Sequence, residues 1–252
     1  MKNHVLAVLR SVSLVGVLSC AVICPVYAQG VRGIGSNTPV NSDSPVVKAT
    51  NAVIQLSIRI TEPGNYRLNT NLVGITPNAV IEIDSSNVTL DLNGFSIEAP
   101  GTAIIARGAN IAILNGSISV GDGRAVLLIG SNCRIEQLRV GKGRFGFDVR
   151  ADDGDDAGTG CILKNNTVRA TVVGISCNGC VLSGNAVTAV QAINAFNSSL
   201  VLGNRVIGGQ VALQLDNSTG YAQNVLRGGE ADVIGGVQIG ENLCATSTIC
   251  SP

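Results

Sequence analysis

Three consecutive stretches of the chain, residues 80–101, 102–123 and 124–145, are each 22 residues long and carry one pattern. Self-similarity at a period of about 20 residues marks a solenoid, in which a repeat buries its apolar side chains only by stacking on its neighbours. Residues 146–173 form a longer unit that contains an acidic insertion. Shorter units begin near Gly174, Ala192 and Val211, with a partial one at Ala231.

The pattern inside a unit identifies the kind of solenoid. In the first unit Ile81, Ile83, Val88, Leu90 and Leu92 take the apolar positions of short alternating runs, and Glu82, Asp84, Thr89 and Asp91 take the polar ones. Period-2 alternation is the mark of strands with one buried face. No unit holds an amphipathic helical stretch, which disfavours leucine-rich, ankyrin and tetratricopeptide arrays. The composition agrees: 31 glycines, 3% aromatics and no tryptophan suit short strands and tight turns. The expected fold is all-β: a single-stranded right-handed parallel β-helix of about seven to eight coils.

Alignment of the units predicts two stacked columns. Asn93, Asn115, Asn166, Asn185, Asn204 and Asn224 recur at one turn and are expected to form an asparagine ladder along the axis. A few residues earlier run Val88, Ile111, Cys133, Cys161 and Cys180, where cysteine replaces an aliphatic on an inward column. Stacked coils lie about 4.8 Å apart, so Cys161 with Cys180 and Cys133 with Cys161 are both within bridging reach.

Residues 1–28 read as a signal peptide: Lys2 and Arg10 are followed by an apolar run over 11–25 and by Val26, Tyr27 and Ala28 at the expected cleavage site. Residues 29–50 read as a flexible leader and 51–79 as N-terminal capping strands. The coils are expected over 80–240 and a disulfide-bearing cap over 241–252. Export places the protein in the periplasm, at the cell surface or outside the cell, with no membrane span in the mature chain. Of 17 basic residues two fall in the leader peptide, leaving 15 against 17 acidic ones, a near-neutral balance without a nucleic-acid footprint. His4, the only histidine, also leaves, and with it any Ser-His-Asp triad or His-ligated zinc. Cys133, Cys161, Cys177, Cys180, Cys244 and Cys250 remain, an even number for an oxidising compartment, and are expected to form structural disulfides.

The run 86–97, SNVTLDLNGFSI, resembles the hallmark coil of the right-handed parallel β-helix repeat proteins of the pectate-lyase-like superfamily. Residues 62–72, EPGNYRLNTNL, resemble the segment ahead of the first coil in exported bacterial members, and 242–250, NLCATSTIC, their cysteine-bearing end. The resemblance covers residues 51–250. It implies the fold but not one activity, since the fold hosts lyases, hydrolases, epimerases and adhesins.

The lyases among them act on acidic polysaccharides: carboxylate-bound Ca²⁺ acidifies the uronate C5 proton and an arginine or lysine removes it. The matching candidates are Asp152, Asp153, Asp155 and Asp156 as metal ligands, with Arg150 or Arg144 as base. A solvated surface insertion explains the four aspartates equally simply. Three functional readings follow. The first is a protein that binds acidic polysaccharide or cell-surface glycan without catalysis. The second is a Ca²⁺-dependent lyase or epimerase, and the third is a structural, adhesin-like module.

Overall fold

In the computed structural model the described residues are 32–34, 52–54, 57–151, 159–245 and 250, with side chains described from Ser57 onward. The expected signal peptide lies outside them, as do the four aspartates of the insertion. Among the described residues the regular elements are 24 strands with no helix. Every pairing is parallel, and each strand pairs with the strand one coil away, so the chain forms a parallel β-solenoid of about 8 turns.

Three sheets run along it. The first holds Ile58–Ile60, Ile81–Asp84, Ile104–Arg107, Arg124–Ile129, Phe145–Arg150, Val173–Asn178, the later halves of Ala186–Phe196 and Arg205–Leu215, and Ala231–Ile234. The second runs from Gly64–Leu68 and Val88–Asp91 through Ile162–Lys164 and Val181–Ser183 to Gly220–Ala222. The third includes Ser96–Ala99, Thr167–Arg169, the first halves of the two long strands, and Val225–Arg227.

Alternation decides which side chains point inward. Ile104, Val126, Phe147, Ile175, Ile193 and Leu213 stack in register along the first sheet and are all at most 1% exposed. One residue ahead of them Ala103, Ala125, Gly146, Gly174, Ala192 and Ala212 keep the corner small. A β-carbon on Gly174 would stand 2.3 Å from Val187 Cγ1 and 2.5 Å from the Ala192 carbonyl oxygen, so space alone demands glycine there.

Within the segment expected to cap the coils, 51–79, residues 58–74 form a coil stacked in register on 81–99. Arg32–Ile34 and Ala52–Ile54, the first of which falls in the stretch expected to be a flexible leader, extend the second and third sheets by one more strand each.

The turn between the second and third sheets differs instructively from expectation. Asn166, Asn185, Asn204 and Asn224 do form a buried ladder, and Asn242 extends it. Each Nδ2 donates to the next Oδ1, at 3.0, 2.9, 3.1 and 3.0 Å. Asn93 and Asn115 do not belong to it. Asn115 lies one residue ahead, in the left-handed column that continues through Gln137, Asn165, Gly184, Gly203 and Gln223, with φ between 56° and 65°. Asn93, at φ 52°, occupies a longer turn whose register does not match. Gly116 holds the ladder position in the coil of Asn115 and Leu138 in the coil after it.

Cys133, Cys161 and Cys180 occupy the inward column that alternation predicts, and Cys177 a core position of the first sheet; all four are buried free thiols. The bridges expected among them are absent, since they act as small apolar fillers. Burial pushes the Cys177 thiol well up from its ordinary pKa, so it stays protonated. Cys244 and Cys250 are disulfide-bonded, with Cα atoms 5.7 Å apart. Both are buried, and the Tyr221 hydroxyl donates to the Cys250 carbonyl at 3.5 Å, so the bridge itself packs at the carboxy-terminal end of the core. Closing so small a loop stabilises by about 2 kcal/mol. The double variant Cys244→Ser/Cys250→Ser should lose about that much, read as a lower urea midpoint with Cys133, Cys161, Cys177 and Cys180 left intact.

Candidate functional site

The outward positions of the first sheet hold a cleft of about 240 Å³ lined by Arg124, Phe145, Asp148, Arg150, Ser176, Asn178 and Phe196, among others. Strand geometry explains the grouping. In Phe145–Arg150 the side chains of Phe147 and Val149 point inward, so Asp148 and Arg150 share the outer face two positions apart. Arg124 stacks in register on Phe145 from the preceding coil, and Asn178 and Phe196 follow on later coils.

Asp148 is the centre of the cleft, with only 8% of its side chain exposed. Arg124 Nε donates to Asp148 Oδ2 at 2.7 Å, while Arg150 donates Nε to Oδ1 at 2.8 Å and Nη2 to Oδ2 at 2.6 Å. Two guanidiniums thus face one carboxylate and leave a net positive charge. Asp148 uses only Nε of Arg124 and Nε and Nη2 of Arg150, so both Nη groups of Arg124 and Nη1 of Arg150 retain donors. Phe145 lies under two cations, its ring centroid 4.9 Å from Arg124 Cζ and 5.4 Å from Arg144 Cζ. Beside the clasp, Ser176, Asn194 and Gln214 continue the Asp148 column coil by coil. Among the described residues the Asn194 amide oxygen has no hydrogen-bond partner.

Of the two arginines expected as bases, both adjoin the cleft. The hydrogen bond to Asp148 raises the Arg150 pKa above its ordinary value despite partial burial, which opposes loss of a proton. Arg150 is therefore held as an anchored cation by Asp148. Arg144 stands over Phe145 with Asp122 at 3.8 Å. The strand ends at Arg150, and Asp152, Asp153, Asp155 and Asp156, expected as Ca²⁺ ligands, lie outside the described residues. Among the described residues no group of three or more His, Cys, Asp and Glu is arranged to hold a metal ion. No helix among them is long and apolar enough to cross a membrane.

Asp148 itself was not singled out from the sequence. The signal was present: an acidic residue two positions before Arg150, on the outer parity of a strand whose inner parity is Phe147 and Val149. Phe196 gave no such sign, because it reaches the cleft only through the stacking of Asn178 on it. Away from the cleft, Asp84 and Arg107 form an ion pair at 3.1 Å, and Arg59 joins it at 2.6 Å.

Comparison with family models, curated proteins and solved structures found no match for this chain.

Proposed function

We propose that this is an exported β-helix protein that binds acidic glycan at or near the cell surface without transforming it. The observation that carries the reading is the clasp of Arg124 and Arg150 around Asp148, which presents fixed guanidinium donors beside Phe145 and Phe196. A uronate carboxylate fits such donors through charge-assisted hydrogen bonds. The apolar faces of a sugar ring suit phenylalanine, and the amide and hydroxyl groups of Ser176, Asn194 and Gln214 suit its hydroxyls. Export rests on the signal-peptide pattern of residues 1–28. The resemblance to pectate-lyase-like β-helix proteins is consistent with this ligand class.

A second reading, a Ca²⁺-dependent lyase or epimerase, draws on the aspartates at 152–156, which begin two residues after Arg150. It is weakened by the raised pKa of Arg150. Calorimetric titration with oligogalacturonate and with a neutral oligosaccharide of equal length, with and without Ca²⁺, separates the readings. Binding to the acidic ligand alone is expected. Arg124→Gln/Arg150→Gln should weaken it by tenfold or more, on the order of one charge-assisted hydrogen bond lost per arginine. Accumulation of ultraviolet-absorbing unsaturated product would promote the lyase. Failure to bind any uronate would leave a structural, adhesin-like module.

A further inference from the structure

We propose that the outer face of the third sheet is a docking surface for an anionic lipid bilayer, separate from the cleft on the first sheet. Two outward columns make up this face. One stacks Arg139, Thr167, Ala186, Arg205 and Val225 in register. The other stacks Arg169, Thr188, Ile207 and Arg227, with Lys142 at its bulged start. Arg139, Lys142, Arg169, Arg205 and Arg227 are all exposed. They span four coil steps, about 19 Å along the axis at the spacing of paired strands.

These five cations lack carboxylate partners, as does Lys164 on the second sheet among the described residues, but only on the third sheet are such cations gathered on one face. Arg59, Arg67, Arg107, Arg124, Arg134, Arg144 and Arg150 each lie within 4.0 Å of a carboxylate. None of those arginines belongs to the third sheet. Among the described residues, by contrast, no acid pairs with any of the five cations of the third-sheet face. Its one in-register acid, Glu98, sits beyond Ser119, two coils before Lys142. In a chain whose formal charge is zero, unpaired positive charge gathered on one face calls for an external anion.

The face also says what kind. Val225 is 46% exposed and Leu243, bridged to it in the final coil, 57%. Ile207 separates Thr188 from Arg227. Cations beside the half-buried Ile207 and the exposed aliphatics of the last coils match a headgroup layer, where the charges meet phosphates and the aliphatics reach the acyl boundary. A soluble polyanion would engage the charges but gain nothing from Val225 and Leu243.

The test is co-sedimentation of the full chain with vesicles of phosphatidylcholine alone and of phosphatidylcholine mixed with phosphatidylglycerol, at low and high salt. The neutral vesicles measure any binding by the apolar run at 11–25. The wild-type protein should partition selectively onto the anionic vesicles and be released by salt. Arg169→Gln/Arg205→Gln/Arg227→Gln should reduce that partitioning about a hundredfold, at about fivefold per cation near the surface. Leu243→Ser should reduce it further with circular dichroism unchanged. Arg124→Gln/Arg150→Gln should leave vesicle binding intact, so loss of glycan binding and loss of lipid binding are read independently. Equal binding to both vesicle types, an unaffected triple variant, or capture of polygalacturonate by this face in place of vesicles would each overturn the proposal.

Discussion

Replacing Asn185 by leucine is expected to cost about 5 kcal/mol, although the two side chains are close in size. Asn185 Oδ1 accepts from both the backbone N–H and Nδ2 of Asn166, each at 3.0 Å. Its Nδ2 donates to the Leu163 carbonyl and to Asn204 Oδ1, both at 2.9 Å. All four bonding positions of this buried amide are therefore used. Leucine would leave the Asn166 N–H with no partner, Asn166 Nδ2 with one hydrogen unspent and the Leu163 carbonyl short of one donor, and would admit no water. At about 1–3 kcal/mol for each orphaned group the sum reaches that figure. Thermal unfolding should show it as a fall on the order of 10 °C or more for a domain of this size. Asn185→Ser, which leaves room for a water beside its hydroxyl, should recover part of the loss. A leucine variant as stable as wild type would show that the amide column contributes little.

An equally large effect is expected from Val88→Asp, by a different route. Val88 is 0% exposed, pairs with Gly64 on one side and stacks towards Ile111 on the other. A carboxylate there would lie in an aliphatic interior with no cation to meet it. It would stay ionised at a cost of several kcal/mol, or bind a proton and still lack hydrogen-bond partners. Because each coil supplies the floor of the next, loss at this position removes the seat of both adjacent coils. The variant should be recovered as insoluble or unfolded protein by circular dichroism at neutral pH. Val88→Ile at the same position should fold.

That second prediction rests on something visible in the sequence. Val88, Ile111, Cys133, Cys161 and Cys180 fall on one inward column because parity within a strand is unambiguous once one face is buried. The ladder was only half legible. Asparagine serves two purposes at that corner, tolerating left-handed backbone at Asn115 and Asn165 and stacking its amide at Asn166 and Asn185. Aligned by residue type alone the two columns merge, and only the register of Gly116 with Leu138 and of Lys164 with Ser183 separates them. The cleft was legible only at its edge. Arg150 and Arg144 stood out as basic residues near an acidic insertion, but the pairing of Arg150 with Asp148 did not. Sequence spacing could not show that Arg124, a coil earlier, shares Oδ2 of that carboxylate with Arg150.

The successive steps of the amide column from Asn166 to Asn185 and from Asn185 to Asn204 are both 19 residues. Equal steps mean that a whole coil can be excised or duplicated here without putting any inward side chain out of phase. Insertion of a single residue inside a strand would turn every later one inside out. The length of such a molecule is therefore quantised. Descendants of this gene can lengthen or shorten the rod by whole windings while keeping its surfaces, and smaller changes survive only at the corners.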